Sequence, residues 1–143
     1  SLVARPLGRF RWVTCASSDY LREYGVPPSP EALSQHRAVH YFSGQARRAD
    51  EFRFVRHGET FSVPVSGNAA VNETGLYIKM CLAGFGLAQL AENIVADHLQ
   101  EGRLVEVLTD WQPPPVPVTL LYPHQRFLSP AVRAFAEWMS EVV

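Results

Sequence analysis

The stretch Trp111-Gln112-Pro113-Pro114-Pro115-Val116-Pro117 constrains this chain more than any other. Proline fixes φ and has no N–H to donate, so the run can be neither helix nor central strand and reads as a stiff connector. A strand and a helix follow it. Residues 118–123 are apolar enough for a buried strand. Ser129 then offers an N-cap, and Pro130 takes the first helical position, where a missing N–H costs nothing. Val132, Phe135, Ala136, Met139 and Val143 recur at helical spacing and predict one apolar face.

Upstream of the connector, strand and helix signals alternate. Residues 10–16 predict a strand. Ser17 and Ser18 offer a cap to a short helix over 19–24, ended by Gly25. Val26-Pro27-Pro28 forces an extended link, and Ser29-Pro30-Glu31 starts a second short helix running to about Gln35. Residues 37–42 predict a strand and 43–50 a polar loop. Residues 51–56 and 60–65 alternate around His57-Gly58, a hairpin turn, with Pro64 marking an edge strand or a bulge. Asn72 is the expected cap of a helix whose apolar face is Leu76, Tyr77, Met80, Cys81 and Leu82, ended by Gly84. A short buried strand over 87–90 follows, then a helix over 92–100 with Ile94, Val95, His98 and Leu99 inward, then a strand over 104–108. This order predicts an α/β sheet with one hairpin inserted.

The chain has 143 residues, 47% of them hydrophobic and 19% charged, enough for one domain with a core. Its net charge is −1, Lys79 is its sole lysine, and Arg47-Arg48 is followed at once by Asp50-Glu51. Nucleic-acid binding needs clustered positive charge, so this stretch is not expected to hold DNA. Cys15 and Cys81 lie in apolar runs and read as two buried thiols, with a disulfide or redox pair as the alternative. Neither a signal segment nor a membrane-length apolar run is visible, which points to the cytoplasm. The opening at Ser1, already in apolar alternation, reads as a cut inside a larger protein.

No residue set points to catalysis. Gly84-Phe85-Gly86 lacks the third glycine of a dinucleotide fingerprint and follows a helix instead of a strand. It reads as a helix end plus a glycine needed for close packing. None of the five histidines has metal-ligand spacing, and they are expected to be solvated or satisfied in the core. There is no G-x-S-x-G elbow. Catalytic residues, metals and cofactors are therefore not expected. Two segments suit a small ligand better. Asn72-Glu73-Thr74-Gly75 opens a helix, whose unpaired N–H groups favour a carboxylate, although capping alone explains the same residues and Glu73 opposes a strongly anionic ligand. Tyr41-Phe42-Ser43-Gly44 leaves a strand at its carboxyl end, where open α/β sheets place their crevices.

A resemblance runs almost end to end. Residues 13–21, 25–33, His36-Arg37, Val65-Ser66-Gly67, Val71-Asn72, 82–88, 102–108, Asp110-Trp111, Leu121-Tyr122-Pro123 and 128–135 together resemble the effector-binding domain of LysR-type transcriptional regulators. The resemblance implies a type-two periplasmic-binding-protein-like fold of two α/β subdomains joined by two crossing strands. One subdomain is complete here and the other is a remnant. Residues 1–16 would hold that remnant and the first crossing strand (Trp12–Ser17), 17–117 the complete subdomain, and 118–143 the return strand and last helix. Phe52 or Phe54 takes a place usually held by tryptophan.

The family binds a small-molecule effector in the inter-subdomain cleft. The implied contacts are Tyr41, Phe42, Ser43, Asn72, Glu73 and Thr74, with Ser17 near the hinge. The implied partners are that effector and further copies of the chain, as dimer and tetramer in the full-length regulator. DNA would be held only through a helix-turn-helix domain, and no membrane is implied. The helix-turn-helix, the linker helix and the first half of the first subdomain have no counterpart in these residues, so an exposed sheet edge and self-association are expected. The alternative is a solute-binding protein or module of the same fold without a DNA-binding partner.

The near-neutral charge makes one expectation testable. The purified chain should show no salt-dependent DNA binding in a mobility-shift titration. A tight, sequence-specific shift would refute it.

Overall fold

A run of buried residues from Val13 to Ser17 makes β2 (Trp12–Ser17) a central strand. A strand with both faces covered needs neighbours on both edges. Accordingly β2 pairs antiparallel with β7 (Ala88–Ala91) on one side and β8 (Leu104–Val107) on the other. The computed structural model describes residues 2–42, 51–124 and 130–142. They group into two compact units, Trp12–Pro114 and the pair Ser1–Arg11 with Pro115–Val143.

In the larger unit, β3 (Arg37–Tyr41) runs parallel to β6 (Ser66–Val71), with a register shift between Ala38 and Val39. Between them in sequence lies the hairpin of β4 (Glu51–Arg56) and β5 (Glu59–Pro64). Its turn is His57 at φ 53° and Gly58 at φ 78°, the paired left-handed conformation that matches strand twist. The helices are α1 (Ser18–Tyr24), α2 (Thr74–Leu82) and α3 (Glu92–Gln100), with a short 3-10 turn over Pro30–Gln35. Two apolar clusters fill the unit. One packs Val13, Cys15, Val39, Tyr77, Cys81, Leu90 and Val95 together. The other packs Ala38, Tyr20, Leu33, Phe52, Phe54, Val65 and Leu87.

In the smaller unit, β1 (Leu2–Phe10) pairs antiparallel with β9 (Val116–Pro123), and α4 (Pro130–Val142) is its helix. The connector is shorter than expected, because β9 already begins at Val116 and includes Pro117 opposite Arg9. A two-stranded pair has only edges, where proline is tolerated. The Ser129 cap lies outside the described residues, as do 43–50.

Most element expectations hold within a residue or two, and the departures have physical causes. Ser17 caps α1, its Oγ accepting from Tyr20 N at 3.1 Å, and Gly25 ends it at φ 84°. Strand β6 was not expected, because Ser66-Gly67-Asn68-Ala69-Ala70 has neither alternation nor β-branched residues. Its pairing with β3 decides it instead. The cap of α2 is Glu73 and not Asn72: the Glu73 carboxylate accepts from Gly75 N at 2.6 Å and Leu76 N at 3.0 Å. Leu76 and Ile94, expected inward, are 45% and 48% exposed. Phe135, expected on a buried face of α4, is 49% exposed, and its ring packs against Trp138 at 6.1 Å.

Strand β9, expected to be buried, has no buried residue and leaves Leu121 60% exposed, because it belongs to a two-stranded pair. In the larger unit other expected packing is present. Gly86, at φ 155°, has no room for a side chain, since a Cβ would stand 2.6 Å from Arg37 O. Cys15 and Cys81 are buried and unbonded to each other. A hydrogen bond to the Cys81 thiol and burial together push the Cys15 thiol well above its ordinary range, which keeps it protonated and unreactive. Glu31 and Arg56 form a two-pronged ion pair at 3.1 and 3.3 Å that ties the 3-10 turn to β4. The guanidinium holds the Glu31 carboxyl below the usual range. It also lies over the Phe61 ring, 4.8 Å from its centroid.

His36 is buried and satisfied. Tyr20 OH accepts from Arg37 N at 3.0 Å and so directs its proton to His36 Nδ1, 2.8 Å away. Burial lowers the His36 pKa from its ordinary 6.5. His40 departs from expectation, because it is 7% exposed and neither ring nitrogen has a partner.

Two stability predictions follow from this packing. Phe54 is fully buried, so Phe54→Ala should cost about 3–5 kcal/mol in urea unfolding. Phe135→Ala should cost less than about 1 kcal/mol. Equal losses would contradict the burial described. His36 supplies a pH dependence. With its folded pKa below the unfolded one, the unfolded chain takes up the proton first. The stabilisation is therefore complete above the unfolded value and is lost as pH falls through 6.5 toward the folded pKa. Urea midpoints at about pH 7.5 and about pH 5.5 should differ less in His36→Gln than in the parent.

Candidate functional site

The carboxyl end of β3 and the start of α2 meet because β6, the parallel partner of β3, leads straight into that helix. Tyr41 stands opposite Val71, and Phe42 N donates to Val71 O at 2.9 Å. Beside this junction the Trp12–Pro114 unit has a cavity of about 410 Å³. Tyr41, Thr74 and Tyr77 form one side of it. Trp12, Gln89, Leu90 and Ala91 come from the adjoining ends of β2 and β7, and Glu51, Phe52 and Ile94 complete it. A pocket of this size, mostly apolar with a few placed polar groups, is the usual form of a small-molecule site.

Its polar groups are held firmly. The rings of Tyr41 and Tyr77 meet edge to face, 5.3 Å between centroids. Tyr77 OH accepts from Gln89 N at 2.9 Å and donates to Gln89 O at 3.3 Å. Burial pushes the Tyr77 phenol far above its ordinary range, so it stays a neutral hydrogen-bonding group. The Gln89 amide is fully committed. Its Nε2 donates to Thr14 Oγ1 at 3.0 Å and Arg53 O at 2.9 Å, and its Oε1 accepts from Arg53 N at 3.0 Å. It therefore pairs with β4 as a backbone peptide would, and fixes the hairpin against β7.

Of the residues expected at a site, Tyr41 and Thr74 line the cavity. Phe42, Asn72 and Glu73 are exposed at the same junction. Glu73 takes up two N–H groups of the helix start for its own carboxylate. Ser43 lies outside the described residues. Ser17 is at the other end of β2, where it pairs with Leu104 while Trp12 pairs with Ala91, and its hydroxyl is spent on capping α1. Trp12, Tyr77, Gln89 and Ile94 were missed as site residues. Tyr77 and Ile94 read as core from helical spacing, and nothing local in sequence marks Gln89, whose partners Thr14 and Arg53 are 75 and 36 residues away. Among the described residues no cluster of His, Cys, Asp and Glu could hold a metal, and no helix is long and apolar enough to cross a membrane.

An α/β unit with an apolar, hydrogen-bonded pocket at a strand-end and helix-start junction belongs to the class of small-molecule-binding domains. The comparisons give the family. The chain matches the LysR substrate binding domain over residues 1–143 and belongs to that family. It is 34% identical over 142 residues to the HTH-type transcriptional regulator YhjC of Escherichia coli K12, covering 99% of this chain and 48% of that protein. It is equally identical to an HTH-type transcriptional repressor of Pseudomonas aeruginosa strain UCBPP-PA14, covering 99% of this chain and 45% of the relative. The chain thus spans about half the length of the curated relatives it matches.

Among solved structures, it resembles the full-length virulence activator AphB of Vibrio cholerae, with a TM-score of 0.79 and 25% identity over 99% of this chain and 48% of that one. The regulatory domain of CrgA from Neisseria meningitidis shares the fold at a TM-score of 0.80 and 23% identity, over 98% of this chain and 68% of that one. The fold is the type-two periplasmic-binding-protein-like fold of LysR regulatory domains.

Proposed function

We propose that this chain is the effector-sensing part of a LysR-type transcriptional regulator. Its effector is a small organic metabolite that rests against the Tyr41–Thr74–Tyr77 wall of the Trp12–Pro114 unit. The observation that carries this reading is the 410 Å³ cavity at that wall, in a chain matched along its whole length to the substrate-binding family. The wall suits an uncharged or weakly polar ligand with an apolar ring or chain. Trp12, Phe52, Leu90 and Ile94 supply apolar surface, and Thr74 supplies a hydroxyl. Among the described residues Glu51 is the one charged residue in the lining.

Within this reading the larger unit is the complete subdomain and the Ser1–Arg11 with Pro115–Val143 unit is the remnant of the other. DNA is held elsewhere in the regulator, through a helix-turn-helix, and the protein works in the cytoplasm where its DNA is. The chain carries out no reaction itself. Exposed apolar side chains at Leu2, Leu121, Phe135 and Trp138 support self-association of the parent regulator.

The test uses the full-length regulator with a promoter reporter, first to find the inducing metabolite and then to measure its binding by calorimetry. Thr74→Val should weaken effector binding by about 0.5–1.5 kcal/mol, and by more if the ligand group is charged. Tyr41→Ala should weaken it further, through lost ring contact, and both should shift the reporter's dose response to higher effector. Parent-like binding and response in both variants would move the site away from this wall.

A further inference from the structure

Gln89 joins two sides of the 410 Å³ cavity through one residue. Its backbone is fastened to the α2 side, since Tyr77 OH accepts from Gln89 N at 2.9 Å and donates to Gln89 O at 3.3 Å. Its side chain is fastened to β4. There Oε1 accepts from Arg53 N at 3.0 Å and Nε2 donates to Arg53 O at 2.9 Å. An amide that exchanges both bonds with one residue reproduces the hydrogen-bonded pair of an antiparallel ladder. Turning it over would set its NH2 against Arg53 N–H and its oxygen against Arg53 O, so its orientation is fixed. Its second N–H goes to Thr14 Oγ1 at 3.0 Å, in the core.

The place of this link along β4 matters. Phe54 is fully buried, Val55 N donates to Gln112 O at 2.8 Å, and Arg56 is paired with Glu31 at 3.1 Å. Those ties hold the hairpin-turn end of the strand. Glu51 and Phe52, which line the cavity, lie at the opposite end, beside Arg53. Phe52 also packs in the core, but apolar packing is non-directional. The paired bonds from Gln89 add what packing lacks, a set distance and a set tilt for the backbone that carries Phe52.

We infer that Gln89 is a positioning residue of this cavity and sets the size of the molecule it admits, an inference that rests on the reading of the cavity as the effector site. Tyr77, Gln89 and Arg53 form a bonded line of fixed length between α2 and β4. The gap between α2 and the Glu51–Phe52 end of β4 is fixed with it. Both Nε2 protons of Gln89 are spent on Arg53 and Thr14, so its amide acts by spacing the walls and not by donating to a ligand. An apolar side chain of the same length fills the same space and lets this end of β4 shift. Larger ligands then gain on smaller ones.

The experiment compares the ¹⁵N-labelled chain with Gln89→Met, which keeps the length and removes the amide. The Arg53 amide, bonded to Gln89 Oε1 in the parent, should exchange with solvent roughly tenfold faster in the variant, while the Val55 amide changes by less than about twofold. Phenol and 4-benzylphenol, two neutral probes of different size, are then titrated while the Thr74, Leu90 and Ile94 amides are followed by NMR. The ratio of the two affinities should move by about threefold or more toward the larger phenol. A merely structural role would weaken both probes alike. An unmoved ratio, or unchanged Arg53 exchange, overturns the inference and leaves the effector reading standing. If neither phenol shifts these amides in the parent, the effector reading fails and the size claim falls with it. Should Gln89→Met not fold, Gln89→Asn, whose amide is one methylene too short to reach Arg53, is read by the same two measurements and in the same direction.

Discussion

The larger unit depends on one short crossing. Leu87 N donates to Arg37 O at 3.0 Å, and Val39 N donates to Leu87 O at 2.9 Å. This single parallel bridge joins β3, and through it β6, to the strand that continues as β7 beside β2. The approach is possible only because Gly86 brings no side chain, a Cβ there standing 2.6 Å from Arg37 O and 2.8 Å from Ala38 Cα. Both apolar clusters meet at this line, Val39 on the α2 side and Ala38 with Leu87 on the other. The placement of Tyr41 beside Tyr77 and Gln89 follows from it, since Tyr41 and Gln89 hang from strands this bridge holds together and Tyr77 sits on the helix that follows β6.

What could be read in advance was local. Ser17, Gly25, His57-Gly58 and the end of α3 at Gly102 are set by capping and turn chemistry within a few residues. The need for glycine at 86 was legible for the same reason, although the partner it makes room for was not. What stayed hidden was long-range. Strand β6 exists because β3 is there to pair with it. Gln89 matters because three distant groups converge on its amide. Tyr77 reads as ordinary helical core, and burial does keep its ring there, yet its hydroxyl supports a pocket floor. On α4 the pattern is amphipathic but Phe135 and Trp138 are exposed. Periodicity names a face, but not whether anything covers it.

The wall of the cavity is built to hold its shape. Its interior polar groups are neutral and already paired: Tyr77 with Gln89, and Gln89 with Thr14 and Arg53. They can hold a rigid shape, and rigid shape is what discriminates among small ligands, because less freedom remains to be lost on binding.

The start of α2 is occupied by its own cap. Helix N-termini usually favour anions through unpaired N–H groups and the positive end of the dipole. Here Glu73 folds back and uses Gly75 N and Leu76 N itself, a geometry eased by Gly75, where a Cβ would stand 3.1 Å from the Glu73 carboxylate. An incoming carboxylate would have to displace that group and then remain near its charge. Both steps oppose binding at those two N–H groups. The two N–H groups that this helix start would otherwise offer a carboxylate are thus already taken by its own cap.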